Sequence, residues 1–395
     1  MPPLPSSPAR PTLASRAGLR LSLIAPLALL PALFGCHAAP DAPPPLSAAA
    51  TRAVAAQPGV AAEPLARAAD ALFTAPGIGR TDALLVLYKG RPVVERYGEG
   101  FSPTSRFLGW SMSKTVTGVL IGLLVADGRL RLDEPAPVPH WQRPGDPRGE
   151  ISLRSLLQMR SGLANREGGE AHEHDDAIAM LFLEGRDDMA AYAEAQPLEN
   201  ETGKVFDYST ATSVILADIA TDTLTTSPSP AARRAAMADY LRARLFDPLG
   251  LKSMVGEYDA AGTLEGGSMI HATARDWGRL GEFLRNGGAV RGAQILPSDW
   301  VRFMTAPSPA NPAYGAQVWL NRPAADGKDE LFPGQAPASL FAAVGHLGQY
   351  VIVSPAQQLT VVRLGRSSEA ERAALRPLLA DLVRQFPVTG ARAGG

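Results

Sequence analysis

The order of strand-like and helix-like segments constrains the fold of this chain more than any other feature. Residues 83–88 and 92–97 are apolar runs separated by a Lys-Gly pair, which predicts two strands joined by a tight turn. Between about 110 and 300 the apolar residues recur at helical spacing. Strand-like runs then return at 314–320, 339–344, 349–353 and 359–364, followed by a helical stretch at 369–385. We therefore predict an α/β (α+β) fold in which one antiparallel sheet, built from both chain ends and flanked by helices, surrounds an inserted helical domain.

The first 36 residues have the pattern of an export signal. Three arginines and no acidic residue precede a nearly unbroken apolar run, residues 21–34. A run of this length is short for a membrane span and typical of a secretory signal. Leu33-Phe34-Gly35-Cys36 resembles a bacterial lipobox, in which the cysteine is lipidated. We predict an exported protein, periplasmic or membrane-anchored through Cys36; the alternative is an ordinary cleaved signal with an incidental cysteine.

Composition sets the domain organisation and excludes several classes of function. Residues 37–62 are mostly Ala and Pro and are predicted to form an extended linker. Residues 63–390 are predicted to form one domain, with a sheet part at about 70–108 and 305–388 and a helical part at about 110–300. With 38 Lys+Arg against 39 Asp+Glu, the charge gives no case for nucleic acid. One cysteine excludes a disulfide scaffold and a Cys-rich metal site.

A serine and a lysine at helical spacing are the first candidates for chemistry. Ser111 and Lys114 stand three residues apart at the start of an apolar helical segment, so the ammonium group can reach the hydroxyl. A serine hydroxyl needs an adjacent base to act as a nucleophile, and a buried lysine can supply one. The backbone N–H of a residue that opens a helix is unpaired and can face an oxyanion.

Two later motifs connect this pair to a known superfamily. Tyr208-Ser209-Thr210 matches a Tyr-x-Asn motif except that threonine replaces asparagine, and His346-Leu347-Gly348 stands where Lys-Thr-Gly would follow. With these motifs in order, the chain resembles the serine β-lactamase and penicillin-binding-protein superfamily, in particular its class C-like esterase and 6-aminohexanoate-dimer hydrolase branch. The resemblance runs from about residue 83 to 383 and includes supporting segments at 155–163, 245–251 and 272–277.

The resemblance implies a role for each matching residue. Ser111 would be the acylated nucleophile, and Lys114 and Tyr208 would share the work of general base and general acid. The backbone N–H groups of Ser111 and Gln349 would form the oxyanion hole. His346 and Gly348 would bind substrate, and the loss of a fixed lysine charge at His346 weakens the case for strong carboxylate recognition. The implied enzyme is a serine hydrolase that cleaves a small amide or ester without cofactor or metal.

Several alternatives stay open at this point. His172-Glu173-His174-Asp175-Asp176 could bind zinc, although a solvated loop is the simpler interpretation. An α/β-hydrolase elbow is disfavoured because residues 109–113 lack the final glycine of Gly-x-Ser-x-Gly. The remaining alternatives are a catalytically silent penicillin-binding-like protein and a DD-peptidase or weak β-lactamase. The expected partner is the small-molecule substrate, with no nucleic acid, and the sequence gives no indication of an oligomeric state.

Overall fold

The computed structural model describes residues 45–168 and 175–389. Its twelve α-helices are α1 Ala48–Ala53, α2 Ala62–Thr74, α3 Ser113–Ala126, α4 Leu153–Leu157, α5 Asp176–Phe182, α6 Met189–Glu194, α7 Thr210–Leu224, α8 Pro230–Leu241, α9 Asp247–Leu249, α10 Ala274–Arg285, α11 Ser298–Met304 and α12 Glu369–Arg384. Its strands are β1 Arg80–Tyr88, β2 Arg91–Tyr97, β3 Arg106–Leu108, β4 Val255–Gly256, β5 Ile270–Thr273, β6 Ala289–Val290, β7 Ala293–Gln294, β8 Trp319–Leu320, β9 Phe341–Gly345, β10 Gln349–Ser354 and β11 Leu359–Arg366.

Both chain ends contribute to one six-stranded sheet, which confirms the predicted fold class. The strand order is β2-β1-β11-β10-β9-β8, and each pair is antiparallel. The first strand of the chain thus pairs with the last, Leu85 opposite Val362. Of the predicted later strands, 314–320 shortens to β8, because Gln317 has φ +62° and the chain turns there.

The two faces of the sheet are covered by different helices. Along β1, Leu84 and Val86 face the core beneath α2 and α12, whereas Leu85 and Leu87 face the core shared with the helical part. This alternation follows from the period of two in a strand. α3 lies in the helical-part core and has buried residues all around its axis, so the residues at its start are held firmly in place.

The folded part of the chain begins closer to the N-terminus than the sequence predicts. Within the stretch predicted to be an extended linker, α1 buries Ala50, and Ala55 donates a backbone hydrogen bond to Val93. Alanine is a strong helix former, and the apolar contacts available on β2 favour docking over extension. The predicted signal peptide with Cys36 and most of the His172–Asp176 cluster lie outside the described residues. Within the ranges given above, no helix has both the length and the apolar character needed to cross a bilayer.

Candidate active site

The chain presents Ser111 from a strained turn rather than from the first turn of an α-helix. Trp110–Met112 form a 3-10 turn, and α3 begins at Ser113. Trp110 has φ +49°, a left-handed conformation that costs roughly 1–2 kcal/mol in a residue with a side chain. The sequence prediction of a helix starting at Ser111 therefore misses this turn. Ser111 is half-buried and remains accessible from the cleft.

The Lys114 ammonium group is enclosed by three oxygen atoms. Its Nζ lies 3.1 Å from the Ser111 Oγ, 2.8 Å from the Thr210 Oγ1 and 3.0 Å from the Gly267 carbonyl oxygen. Gly267 can come this close because a Cβ there would lie 2.8 Å from the Thr210 Cγ2. The side chain is almost completely buried, and burial lowers the pKa of Lys114 to about 8, while the charge of Glu167 acts in the opposite direction.

Tyr208 completes the constellation that the sequence predicts. The Lys114 Nζ lies 4.9 Å from the centre of the Tyr208 ring. Burial and the Glu167 charge raise the pKa of Tyr208, and a hydrogen bond with Ser111 lowers it. A phenol with a raised pKa is a poor base at neutral pH, whereas an amine with a pKa of about 8 is unprotonated in roughly one molecule in ten at pH 7. These shifts make Lys114 the better candidate for the base at neutral pH and leave Tyr208 protonated, and both catalytic roles stay predictions.

Glu167 is a component of the site that the sequence analysis missed. Its carboxylate accepts the Thr210 backbone N–H at 2.5 Å and the Thr210 hydroxyl at 2.7 Å. Burial raises the pKa of Glu167, and the Lys114 charge lowers it. No local pattern marks this residue, because Glu167 and Thr210 are 43 positions apart and meet only through the tertiary fold.

Aromatic side chains form a wall beside Tyr208. The Tyr208 and Trp319 rings lie 5.4 Å apart, Tyr314 and Trp319 lie 5.0 Å apart, and Phe206 and Tyr314 lie 5.2 Å apart. Such tilted and edge-to-face pairs are favourable beyond the area that they bury. Tyr314 is buried and the other three rings are half-buried, so the surroundings of Tyr208 are apolar.

The end of β9 approaches the Ser111 turn through a glycine. A Cβ on Gly345 would lie 2.3 Å from the Gly109 carbonyl oxygen, so the two backbones are in direct contact. The next residue, His346, is exposed, and its ring stands edge-on to Trp110 with centroids 5.2 Å apart. Although the residue is exposed overall, partial desolvation of its ring lowers the pKa of His346; the Arg372 charge lowers it further and the Glu369 charge opposes this, and the net direction favours a neutral ring at pH 7.

Gln349 and Gly348 belong to the hairpin between β9 and β10. Gln349 pairs with Gly345, and its side-chain amide donates to the Gly365 carbonyl at 2.6 Å and accepts the Gly365 N–H. Gly348 has φ +81°, and its carbonyl accepts a hydrogen bond from the buried Arg363. The structure thus gives both residues a place in supporting the turn. Their oxyanion and substrate-binding roles stay predictions.

The metal alternative finds no support in the described part of the cluster. Across residues 45–168 and 175–389, no group of three or more His, Cys, Asp or Glu side chains is arranged to hold a metal. Asp175 caps the start of α5 by accepting the Ile178 N–H, and Asp176 accepts the Tyr192 hydroxyl. These two carboxylates therefore have structural partners, while 172–174 lie outside the described residues.

Comparison with known proteins gives a consistent family. The pattern that describes the Beta-lactamase family matches residues 67–384. A 6-aminohexanoate-dimer hydrolase from Paenarthrobacter ureafaciens is 28% identical over 264 residues, which is 63% of this chain and 64% of that protein. The chain thus spans 64% of the length of this curated relative, which is less than two-thirds.

Solved structures show the same fold. A candidate 6-aminohexanoate-dimer hydrolase from Bacillus anthracis aligns with a TM-score of 0.62 at 21% identity, covering 78% of this chain and 80% of that chain. A family VIII carboxylesterase aligns with a TM-score of 0.60 at 16% identity, covering 83% of this chain and 98% of that chain. At these identities the likeness concerns the fold alone.

Proposed function

The chain belongs to the β-lactamase family of serine hydrolases, and on this premise we propose that it cleaves a small amide or ester through an acyl-enzyme on Ser111. The observation that carries the proposal is the contact of the Ser111 hydroxyl with the buried Lys114 amine, 3.1 Å away. Burial favours the neutral amine, which is the form that can take a proton.

Acylation follows from this arrangement. The Ser111 Oγ bonds to the substrate carbonyl carbon as its proton moves to the Lys114 Nζ. The carbonyl π electrons move to oxygen, and they return as the bond to the leaving amine or alkoxide breaks. The Tyr208 phenol gives the leaving group a proton and regains one from the Lys114 ammonium. Water then attacks the acyl carbon and gives a proton to Lys114, while the carbonyl π electrons move to oxygen. They return as the ester bond to Ser111 breaks, and the Ser111 Oγ takes the proton from the Lys114 ammonium.

The surroundings of the nucleophile support a small substrate without a strong anionic anchor. The half-buried rings of Tyr208 and Trp319 suit an apolar group, and the exposed His346 stands where the family that the chain resembles has a charged lysine. The relative named a 6-aminohexanoate-dimer hydrolase favours an amide as the natural substrate.

A covalent probe tests this proposal. We expect a fluorophosphonate to add one adduct per chain and peptide mapping to locate it at Ser111, because an activated serine displaces fluoride from phosphorus. The readout is intact mass, with p-nitrophenyl ester and anilide turnover measured alongside. Absence of both adduct and turnover would favour a silent binding protein. Turnover without an adduct, lost on chelation, would favour a metallohydrolase.

We further propose that the protein is exported and anchored by lipid at Cys36, on the evidence of the apolar run 21–34 and the lipobox-like Leu33-Phe34-Gly35-Cys36. Cells that express the protein should incorporate labelled palmitate into it, and Cys36→Ser should lose the label. An unlabelled wild-type protein released into the periplasm would instead indicate an ordinary cleaved signal.

A further inference from the structure

The Glu167 carboxylate accepts two hydrogen bonds from Thr210, the first residue of α7. The Thr210 hydroxyl has one hydrogen, and the 2.7 Å contact directs it to the Glu167 Oε1. The same oxygen of Thr210 must therefore accept from Lys114, whose Nζ lies 2.8 Å away. The second carboxylate oxygen accepts the Thr210 N–H, so that the threonine is fixed at two points.

This orientation decides where the lone pair of a neutral lysine amine points. An –NH₂ group has two hydrogens and one lone pair. In this site, Thr210 and the Gly267 carbonyl are both acceptors and take the two hydrogens. The lone pair is then directed at the remaining neighbour, the Ser111 hydroxyl. A Thr210 hydroxyl free to rotate could donate its hydrogen to that lone pair and compete with Ser111.

We propose that Glu167 is a positioning residue of this site: by holding the Thr210 hydroxyl as an acceptor it keeps the Lys114 lone pair directed at Ser111. The inference rests on the proposed role of Lys114 as the base. The Lys114 amine contacts the Thr210 hydroxyl directly, and Glu167 contacts that same hydroxyl, so Glu167 acts on the lysine through Thr210.

The charges around the pair give the direction of the pH effect. Burial lowers the pKa of Lys114, and Glu167 is the one charged group with a resolved opposing effect on it. Burial raises the pKa of Glu167; Lys114 and the hydrogen bonds from Thr210 lower it, and Asp175 raises it. Tyr208 faces the same space as a neutral phenol. Removing the Glu167 charge should therefore lower the pKa of Lys114.

The test is the pH profile of kcat/KM for an ester substrate in the full-length protein. In Glu167→Gln we expect the midpoint of the acidic limb to move down by about one pH unit, because the ammonium loses its counter-charge. We also expect the limiting rate at high pH to fall about tenfold, because a single amide oxygen cannot hold both Thr210 donors. A limiting rate or a midpoint equal to that of the wild type would overturn the proposal and leave Glu167 as a helix-capping residue only.

Control variants separate these explanations. Glu371→Gln removes another carboxylate that accepts a backbone N–H at a helix start, that of Ser368, and should leave the profile unchanged. If Glu167→Gln does not fold, Glu167→Asp is the second variant, because it keeps the charge on a side chain that is one methylene shorter and reaches Thr210 less well. We expect its limiting rate to fall at an unchanged midpoint. An unchanged rate would overturn the proposal. If Lys114 is not the base, Lys114→Met keeps the wild-type pH profile of kcat/KM. That result separates failure of the proposed function from failure of this inference.

Discussion

Replacement of Ser111 by alanine is expected to lower kcat/KM for a p-nitrophenyl ester by on the order of 10⁴-fold or more and to abolish the fluorophosphonate adduct. Without the Oγ no acyl-enzyme forms, and the Lys114 amine is left without the hydroxyl that lies 3.1 Å away. The measurement is steady-state turnover together with intact mass after probe treatment. Activity within tenfold of the wild type would exclude Ser111 as the nucleophile.

Ser113 provides the matched control for this variant. It lies two residues further along in the same segment, but its hydroxyl accepts the Ile270 backbone N–H at 3.0 Å in the buried core. Ser113→Ala should retain the adduct and turnover while lowering the free energy of unfolding by about 1–3 kcal/mol, because a buried N–H loses its acceptor. Loss of activity in both variants would point to disruption of the turn rather than to a missing nucleophile.

The sheet and the serine–lysine pair could be predicted because their signals are local. The alternation of apolar residues in β1 and β11 and the spacing of Ser111 and Lys114 depend on neighbours within a few positions. Segment 314–320 is predicted to be a strand because most of its residues are apolar. It turns instead, since Gln317 donates to the Leu157 carbonyl and accepts the Ser213 hydroxyl inside the core.

The parts of the site that escaped prediction depend on contacts distant in sequence. Glu167 meets Thr210, and the Gly267 carbonyl meets the Lys114 amine 153 positions away. Neither contact leaves a pattern in its own segment. The strained φ of Trp110 is equally invisible, because a residue with a side chain adopts that conformation only when the packing around it compensates for the cost. The sequence thus indicates which residues are candidates for the reaction, and tertiary packing determines how their polar groups are arranged.

Lys114→Met is expected to reduce kcat/KM by about 10³-fold, since general-base assistance typically contributes 10²–10⁴. Methionine keeps an unbranched apolar chain in a site where the lysine is almost completely buried, so packing changes little. The amine that contacts Ser111, Thr210 and the Gly267 carbonyl is lost. A variant that retained most of the activity would shift the role of base to Tyr208.

The same variant gives a pH signature in stability that a purely catalytic effect would not. The pKa of Lys114 falls from an ordinary 10.5 to about 8 in the folded protein, because burial disfavours the charge. Below pH 8 both states hold the proton, and folding bears the cost of burying the ammonium. Between pH 8 and 10.5 the unfolded state binds more protons, so the free energy of unfolding rises with pH, in total by about 3 kcal/mol.

Urea titrations measure the contribution of Lys114 to the pH dependence of the free energy of unfolding. They are made on the wild type and on Lys114→Met at intervals from pH 7 to 10.5, and the two free energies are subtracted. The free energy of unfolding of the wild type should rise relative to that of the variant across the interval, by about 3 kcal/mol in total. Lys204→Met removes an exposed lysine and controls for the Lys-to-Met substitution itself. A flat difference for Lys114→Met would mean that the amine stays protonated in the folded protein up to its ordinary pKa. Such an amine could not act as a base at neutral pH, so this one result bears on the stability and the mechanism together.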